Sequence, residues 1–295
     1  MRRTGRPVIT LMPASLLIML LAPVSTIAVS DRYFDSAGVQ IHYIEEGTGD
    51  PVVLVHGFLG SVESYVRLGV FGELAKRYRV IALDLRGHGK SGKPHDAREY
   101  EREMGLDIVR LLDHLAIDRA HVIGYSLGAL IVAQLATTSP DRLQSVTLGG
   151  AAKVDSWSDE DEERSMTEAL EMERGSLRHI LRRLAPANGP EPTDEQIQQA
   201  SAQLLAGQDT AALAAVLRSS RQFFRSPAEV RAIRVPTLGL VGSTDPYLKD
   251  FQKLKEAMPQ LKLLVIDGAS HETAPSRPDF IQAIMRFLRD PSSAQ

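Results

Sequence analysis

The chain has 295 residues with 34 Lys+Arg against 37 Asp+Glu, a formal charge of -3. This length holds one large α/β domain or two small ones, with a substantial core. The near balance of charge excludes the basic field that nucleic acid or an anionic surface would require. The expected partner is a small, uncharged or weakly charged substrate. There is no cysteine, which excludes disulfides, thiolate nucleophiles and Cys-ligated metals together.

Residues 1–30 differ in kind from the rest. Arg2, Arg3 and Arg6 precede an apolar stretch at 16–22, and Ser25, Thr26, Ala28 and Ser30 follow it. A basic head, an apolar middle and small residues at the end predict a secretory signal, and so export to a periplasmic or extracellular location. The alternative is an uncleaved inner-membrane anchor, because 22 residues at 8–29 nearly span a bilayer core of roughly 30 Å at about 1.5 Å per residue. Pro13 and Pro23 favour cleavage. No membrane contact is expected of the mature chain, whose formal charge moves from -3 to -6 when three arginines and no acids are removed.

From Tyr33 onward short apolar runs alternate with helical stretches, and residues 31–295 read as one domain. Strands are predicted at 38–43, 52–56, 80–83, 121–123, 145–148, 237–241 and 262–266, most of them β-branched and continuously apolar as in a parallel sheet buried on both faces. Helical patterns fall at 71–78, 100–115, 127–138, 247–258 and 279–288. Their sum is the α/β class, a doubly wound, mostly parallel sheet. Residues 152 to about 230 carry no strand pattern and read as three or so helices forming an inserted helical cap. It opens on the acidic run at 159–163, read as a solvated first helical turn, and Thr193 with Gln196 reads as a capping box.

The chemistry is read at four places. His56-Gly57-Phe58-Leu59-Gly60 follows the strand at 52–55, where backbone amides can hold a developing oxyanion; the donors assigned are those of Phe58 and Leu127. His56 itself reads as structural, its ring bonded to loop backbone. Gly124-Tyr125-Ser126-Leu127-Gly128 lies between a strand and a helix. A nucleophile on so sharp a turn needs a strained backbone, and glycines two before and two after let the chain segments pass. A serine hydroxyl needs a base, and that base needs a group to fix its tautomer. His271 and Asp245, each just past a late strand, supply these at the rim where sites of open α/β sheets form. Asp245 also reads as a helix N-cap before Pro246, and Asp155 is the rival acid. Asp84-Leu85-Arg86-Gly87-His88-Gly89-Lys90-Ser91 reads as a structural loop in which Asp84 and Arg86 bond each other or nearby backbone. It lacks the spacing of a phosphate-binding loop. The scattered histidines predict no metal site.

These ordered motifs, with Pro278 and Phe280 beyond His271, make the chain resemble the α/β-hydrolase fold family, in particular its esterase-like members with a helical cap. The resemblance covers almost all of 33–288. It implies that Ser126 attacks an acyl carbon, that His271 takes and later returns the proton, that Asp245 orients His271, and that water releases the acyl enzyme with no cofactor. Haloalkane dehalogenases and epoxide hydrolases of the superfamily carry Asp at the nucleophile position, which Ser126 does not match. The cap, with Trp157, Met166, Phe223 and Phe224 as candidate apolar surfaces, is expected to cover the pocket. Cleavage of small or medium carboxylic esters is the first reading. Carbon–carbon bond hydrolase, lactonase and perhydrolase activities on the same three residues stay open, as does a non-catalytic ligand-binding relative.

Overall fold

A computed structural model describes residues 30–186 and 189–291; all but the last residue of the expected export signal lies outside them. The apolar runs become strands β1 (Arg32–Ser36), β2 (Val39–Glu46), β3 (Pro51–Val55), β4 (Arg79–Leu83), β5 (Ala120–Tyr125), β6 (Leu143–Gly149), β7 (Thr237–Gly242) and β8 (Lys262–Ile266). They form one sheet in the order β1-β2-β4-β3-β5-β6-β7-β8. Pairing is antiparallel from β1 through β2 to β4 and parallel from β4 to β8. In β3, Val53 and Val55 enter one core while Val52 and Leu54 enter the other, and β4 divides in the same way. Side chains alternate with a period of two, so a run apolar at every position must be covered on both faces.

The helices supply that cover. α1 (Val62–Arg67) and α2 (Val70–Ala75) lie on one face, and α3 (Glu103–His114) and α4 (Leu127–Thr138) on the other. Between β6 and β7 the chain runs through α5 (Asp159–Glu173), α6 (Arg178–Leu184), α7 (Asp194–Leu204), α8 (Thr210–Arg218) and α9 (Pro227–Ala232). α10 (Leu248–Ala257) joins the face of α3, and α11 (Pro278–Arg289) joins that of α1. α11 shows why such a segment is helical and where it docks. Pro278 opens it, and Phe280, Ala283, Ile284, Phe287 and Leu288 form one buried stripe at helical spacing.

The α/β class and the mostly parallel sheet are as expected. Two elements differ from the sequence reading. β1 alternates exposed and buried residues at the sheet edge, burying only Phe34 and Ser36, so it lacks the continuous apolar signature. α1 has six residues, too few for helical periodicity to emerge. The segment between β6 and β7 holds five α-helices rather than three, because α6 and α9, of 7 and 6 residues, leave no repeat to count. Its acidic run does form the first turn of α5, where Ser158 and Asp161 each accept from the other's amide. Thr193 and Gln196 do the same for α7. These helices share a small core around Met172, Leu177 and Leu213, against which Phe58 and Leu59 pack. Among the described residues no helix is long and apolar enough to cross a membrane.

In the loop after β4, Asp84 and Arg86 both bond backbone, one of the two expected alternatives. Arg86 does not meet Asp84; its buried guanidinium grips Asp107 through Nε at 2.7 Å and Nη2 at 2.6 Å. Asp84 accepts from the amides of Val62 and Lys90, each at 2.7 Å, and from His42 Nδ1 at 2.8 Å. His42 Nε2 lies 2.9 Å from Asp31, so the imidazole bridges two carboxylates. Burial opposes its charge, but Asp84 and Asp31 outweigh burial and hold its pKa above the ordinary value. A raised folded pKa gives stability fully present below the unfolded value of about 6.5, lost as pH rises through the folded value. His42→Phe is therefore expected to lower Tm more at about pH 6 than at about pH 9, measured by thermal denaturation; an equal deficit at both would contradict a charged clamp.

Candidate active site

The turn from β5 into α4 is built by close backbone approach. A Cβ on Gly128 would stand 2.1 Å from the Val55 carbonyl oxygen, and one on Gly124 would stand 2.2 Å from that of Gly128. Only glycine fits either place, so α4 can start directly against the end of β3. Ser126, between them, is held at φ 54 and ψ -117, a conformation non-glycine residues rarely adopt. Its amide donates to Gly149 O at 2.7 Å, fixing the turn to β6. Gly57 passes on the other side, where a Cβ would lie 3.1 Å from that of Ser126.

Asp245 and His271 converge on Ser126 from 119 and 145 residues away in sequence. His271 Nε2 is 3.0 Å from Ser126 Oγ, and Nδ1 is 3.0 Å from Asp245 Oδ2. The other Asp245 oxygen accepts from the Tyr247 amide at 2.9 Å, and both Asp245 and His271 are buried. The loops carrying them are stitched together, since the Thr244 amide and hydroxyl both donate to Ala269 O, at 3.0 and 2.9 Å. The order carboxylate, imidazole, hydroxyl is one in which the imidazole can take the hydroxyl proton while the carboxylate holds its tautomer. Asp155 is not part of this line. Its exposed side chain pairs with Lys253 at 3.5 Å.

His56 is buried beneath the loop after β3, with Nδ1 donating to Gly57 O at 2.8 Å and Nε2 accepting from the Leu85 amide at 3.0 Å. Both ring nitrogens are spent on backbone, and burial pushes its pKa down, so this imidazole is a neutral strut. It joins the loop after β3 to the loop after β4. Phe58 and Leu127 line the same cavity as Ser126. The amide of Leu127 opens α4, one of the helix donors that has no partner within the helix, and that of Phe58 donates to no acceptor among the described residues.

The model of the alpha/beta hydrolase fold matches residues 50–174 of this chain. The chain has the α/β-hydrolase fold. It is 38% identical to a 2-hydroxymuconate semialdehyde hydrolase of Pseudomonas sp. strain CF600 over 126 residues, 42% of this chain and 44% of that protein. Over 264 residues it is 28% identical to the esterase YbfF of Escherichia coli strain K12, covering 81% of this chain and 93% of that one. The chain spans less than half the length of the first curated relatives it matches. A thermophilic esterase from Thermogutta terrifontis superposes with a TM-score of 0.71 at 24% identity, covering 90% of this chain and 99% of that one.

Within this fold the cavity at Ser126 has a volume of about 160 Å³ and is walled by residues of α5, α6 and α8. Trp157, Phe223 and Phe224 line it, whereas Met166 is 40% exposed on the outer face of α5 and does not. Two tyrosines at the site have no role in the sequence reading, Tyr125 standing at a variable position of the Ser126 motif and Tyr247 outside any motif. The Tyr125 hydroxyl donates to His271 O, and burial holds its pKa well above the ordinary phenol value. Tyr247 lies with its ring 5.5 Å from the imidazole. Their only sequence signal is nearness to Ser126 and Asp245. Among the described residues no group of His, Cys, Asp or Glu is placed to hold a metal ion. The close approach at the turn yields a prediction. Gly128→Ala drives a methyl into the Val55 carbonyl, with an expected cost of about 1–3 kcal/mol or more from overpacking, read as a lowered urea midpoint.

Proposed function

We propose that the chain is a serine hydrolase that cleaves small or medium carboxylic esters through an acyl-enzyme intermediate. The observation that carries this reading is the unbroken line from Asp245 through His271 to Ser126 at the floor of a partly apolar cavity. Ser126 Oγ bonds to the ester carbonyl carbon as its proton passes to His271 Nε2, and the imidazolium is stabilised by Asp245. The carbonyl oxygen, now an anion, is held by the amides of Phe58 and Leu127. Collapse expels the alcohol, which takes the proton from His271. Water then repeats the sequence on the acyl enzyme, releasing the acid and restoring Ser126. No cofactor enters. The helices between β6 and β7 act as a cap that limits which acyl groups reach Ser126, a role supported by their place in the cavity wall. A second reading, carbon–carbon bond hydrolysis on the same residues, draws support from likeness to the Pseudomonas 2-hydroxymuconate semialdehyde hydrolase.

Export to the periplasm or beyond is part of the proposal and rests on the basic and apolar character of residues 1–30. An uncleaved signal would instead leave the enzyme anchored in the inner membrane. Expression with residues 1–30, followed by cell fractionation and intact-mass measurement, is expected to yield a periplasmic chain shortened by about that segment; a full-length chain in the soluble cytoplasmic fraction would remove the export reading.

The catalytic reading is tested by release of p-nitrophenol from acetate, butyrate and octanoate esters. Ser126→Ala is expected to lower kcat by about 10³-fold or more, and Asp245→Asn by about 10⁴-fold, with the fold unchanged by circular dichroism. Rapid mixing should show a burst of one p-nitrophenol per wild-type chain. A folded wild-type enzyme that leaves all three esters intact would transfer support to the carbon–carbon reading.

A further inference from the structure

The wall of the cavity facing Ser126 is polar in a way that a plain alkyl group does not need. Arg183 of α6 is fixed by buried Glu168 of α5, with Nε 2.8 Å from Oε1 and Nη2 3.1 Å from Oε2. Its Nη1 donates to the Tyr247 hydroxyl oxygen. These three bonds use three of the five guanidinium donors and leave one N–H on each terminal nitrogen. The phenol has accepted a hydrogen bond and has its own proton to give. Among the described residues no acceptor takes that proton, and burial raises the Tyr247 pKa so that the proton stays on. Arg183, Glu168 and Tyr247 all line the cavity that contains Ser126.

Each cation on this wall is paired with a carboxylate. Lys153, Arg164 and Arg183 line it as cations against Glu168 as the one acid. Asp250, 3.4 Å from Lys153, and Asp161, which pairs with Arg164, stand outside the lining. The cavity, of about 160 Å³, has room for a chain of a few carbons. An unspent phenol O–H and spare guanidinium N–H groups together suit an acceptor that is anionic and forked.

We propose that the acyl group taken by this site ends in a carboxylate, bound by the Tyr247 hydroxyl and the free N–H groups of Arg183, so that monoesters of short dicarboxylic acids are preferred over alkyl esters of equal length. This rests on the ester hydrolase reading above and names its substrate class. Tyr247 and Arg183 are then specificity-determining residues. A purely structural role for Arg183, tying α6 to the Asp245 loop, would give no such preference.

The test compares monomethyl succinate with methyl butyrate, four-carbon acyl groups that differ in the terminal carboxylate, by pH-stat. The wild-type ratio of kcat/KM for succinate over butyrate is expected to be about tenfold or more, and Tyr247→Phe is expected to lower that ratio by about tenfold, the scale of one hydrogen bond to a charged group. The ratio cancels general damage to the catalytic residues, which slows both esters alike. Arg183→Lys, which keeps the charge but loses the fork, should also lower it. A wild-type ratio of one or less, or a ratio unchanged in Tyr247→Phe, would overturn the proposal while leaving the hydrolase reading standing. If neither ester turns over, calorimetric binding decides separately. Monomethyl succinate bound more tightly than methyl butyrate, and weakened in Tyr247→Phe, supports the carboxylate site, while absent turnover counts against the hydrolase reading alone; equal binding of the two esters overturns the site.

Discussion

Everything at the functional end of this molecule depends on how closely α4 is allowed to approach β3. The Gly128 backbone lies against the Val55 and His56 carbonyls, with space for no side-chain atom. That contact sets the angle at which the chain leaves β5, and the angle forces Ser126 into its positive-φ conformation. Strain of this kind costs of order 1–3 kcal/mol and persists only where surrounding structure over-determines it. Here the surroundings are two central strands, a parallel ladder on each side of β5, and the bond from the Ser126 amide to Gly149. The strained residue is thus held by a strand paired on both sides.

The remaining parts of the site are carried by loops, and each loop is braced by buried polar bonds rather than by packing alone. His56 spends both ring nitrogens joining the loop after β3 to that after β4. Asp84 collects the amides of Val62 and Lys90, and Arg86 with Asp107 ties the same loop to α3. On the other side of Ser126, Thr244 joins the Asp245 loop to the His271 loop, and Tyr125 holds the His271 carbonyl. Buried polar groups are costly when unpaired and specify geometry when paired. The motifs of the sequence therefore divide into residues that face the cavity and residues that hold those residues still.

Two of the places where the helices between β6 and β7 meet this frame differ in character. Phe58 and Leu59 pack into their apolar core, so the loop after β3 is shaped partly by the insertion. Arg183 and Glu168 reach across to Tyr247, whose amide holds Asp245. A shift of α6 would therefore be felt both at the cavity wall and at the carboxylate behind His271.

The sequence by itself determined the sheet, its mostly parallel sense and the identity of the three convergent side chains. Short continuous apolar runs rich in β-branched residues read as strands covered on both faces, and a serine between two glycines at a strand-to-helix junction reads as a sharp turn with close backbone approach. It also located the capping box at Thr193 and the acidic first turn at 159–163, where local interactions suffice. It did not reveal β1, α1 or the short helices α6 and α9, because elements this brief carry no measurable period and are stabilised by what they pack against. Nor did it reveal that Arg86 pairs with Asp107 rather than Asp84, or that Arg183, Glu168 and Tyr247 share one wall. Those pairings join residues distant in sequence, and a guanidinium has no preference among carboxylates until the packing of helices and strands brings one within about 3 Å.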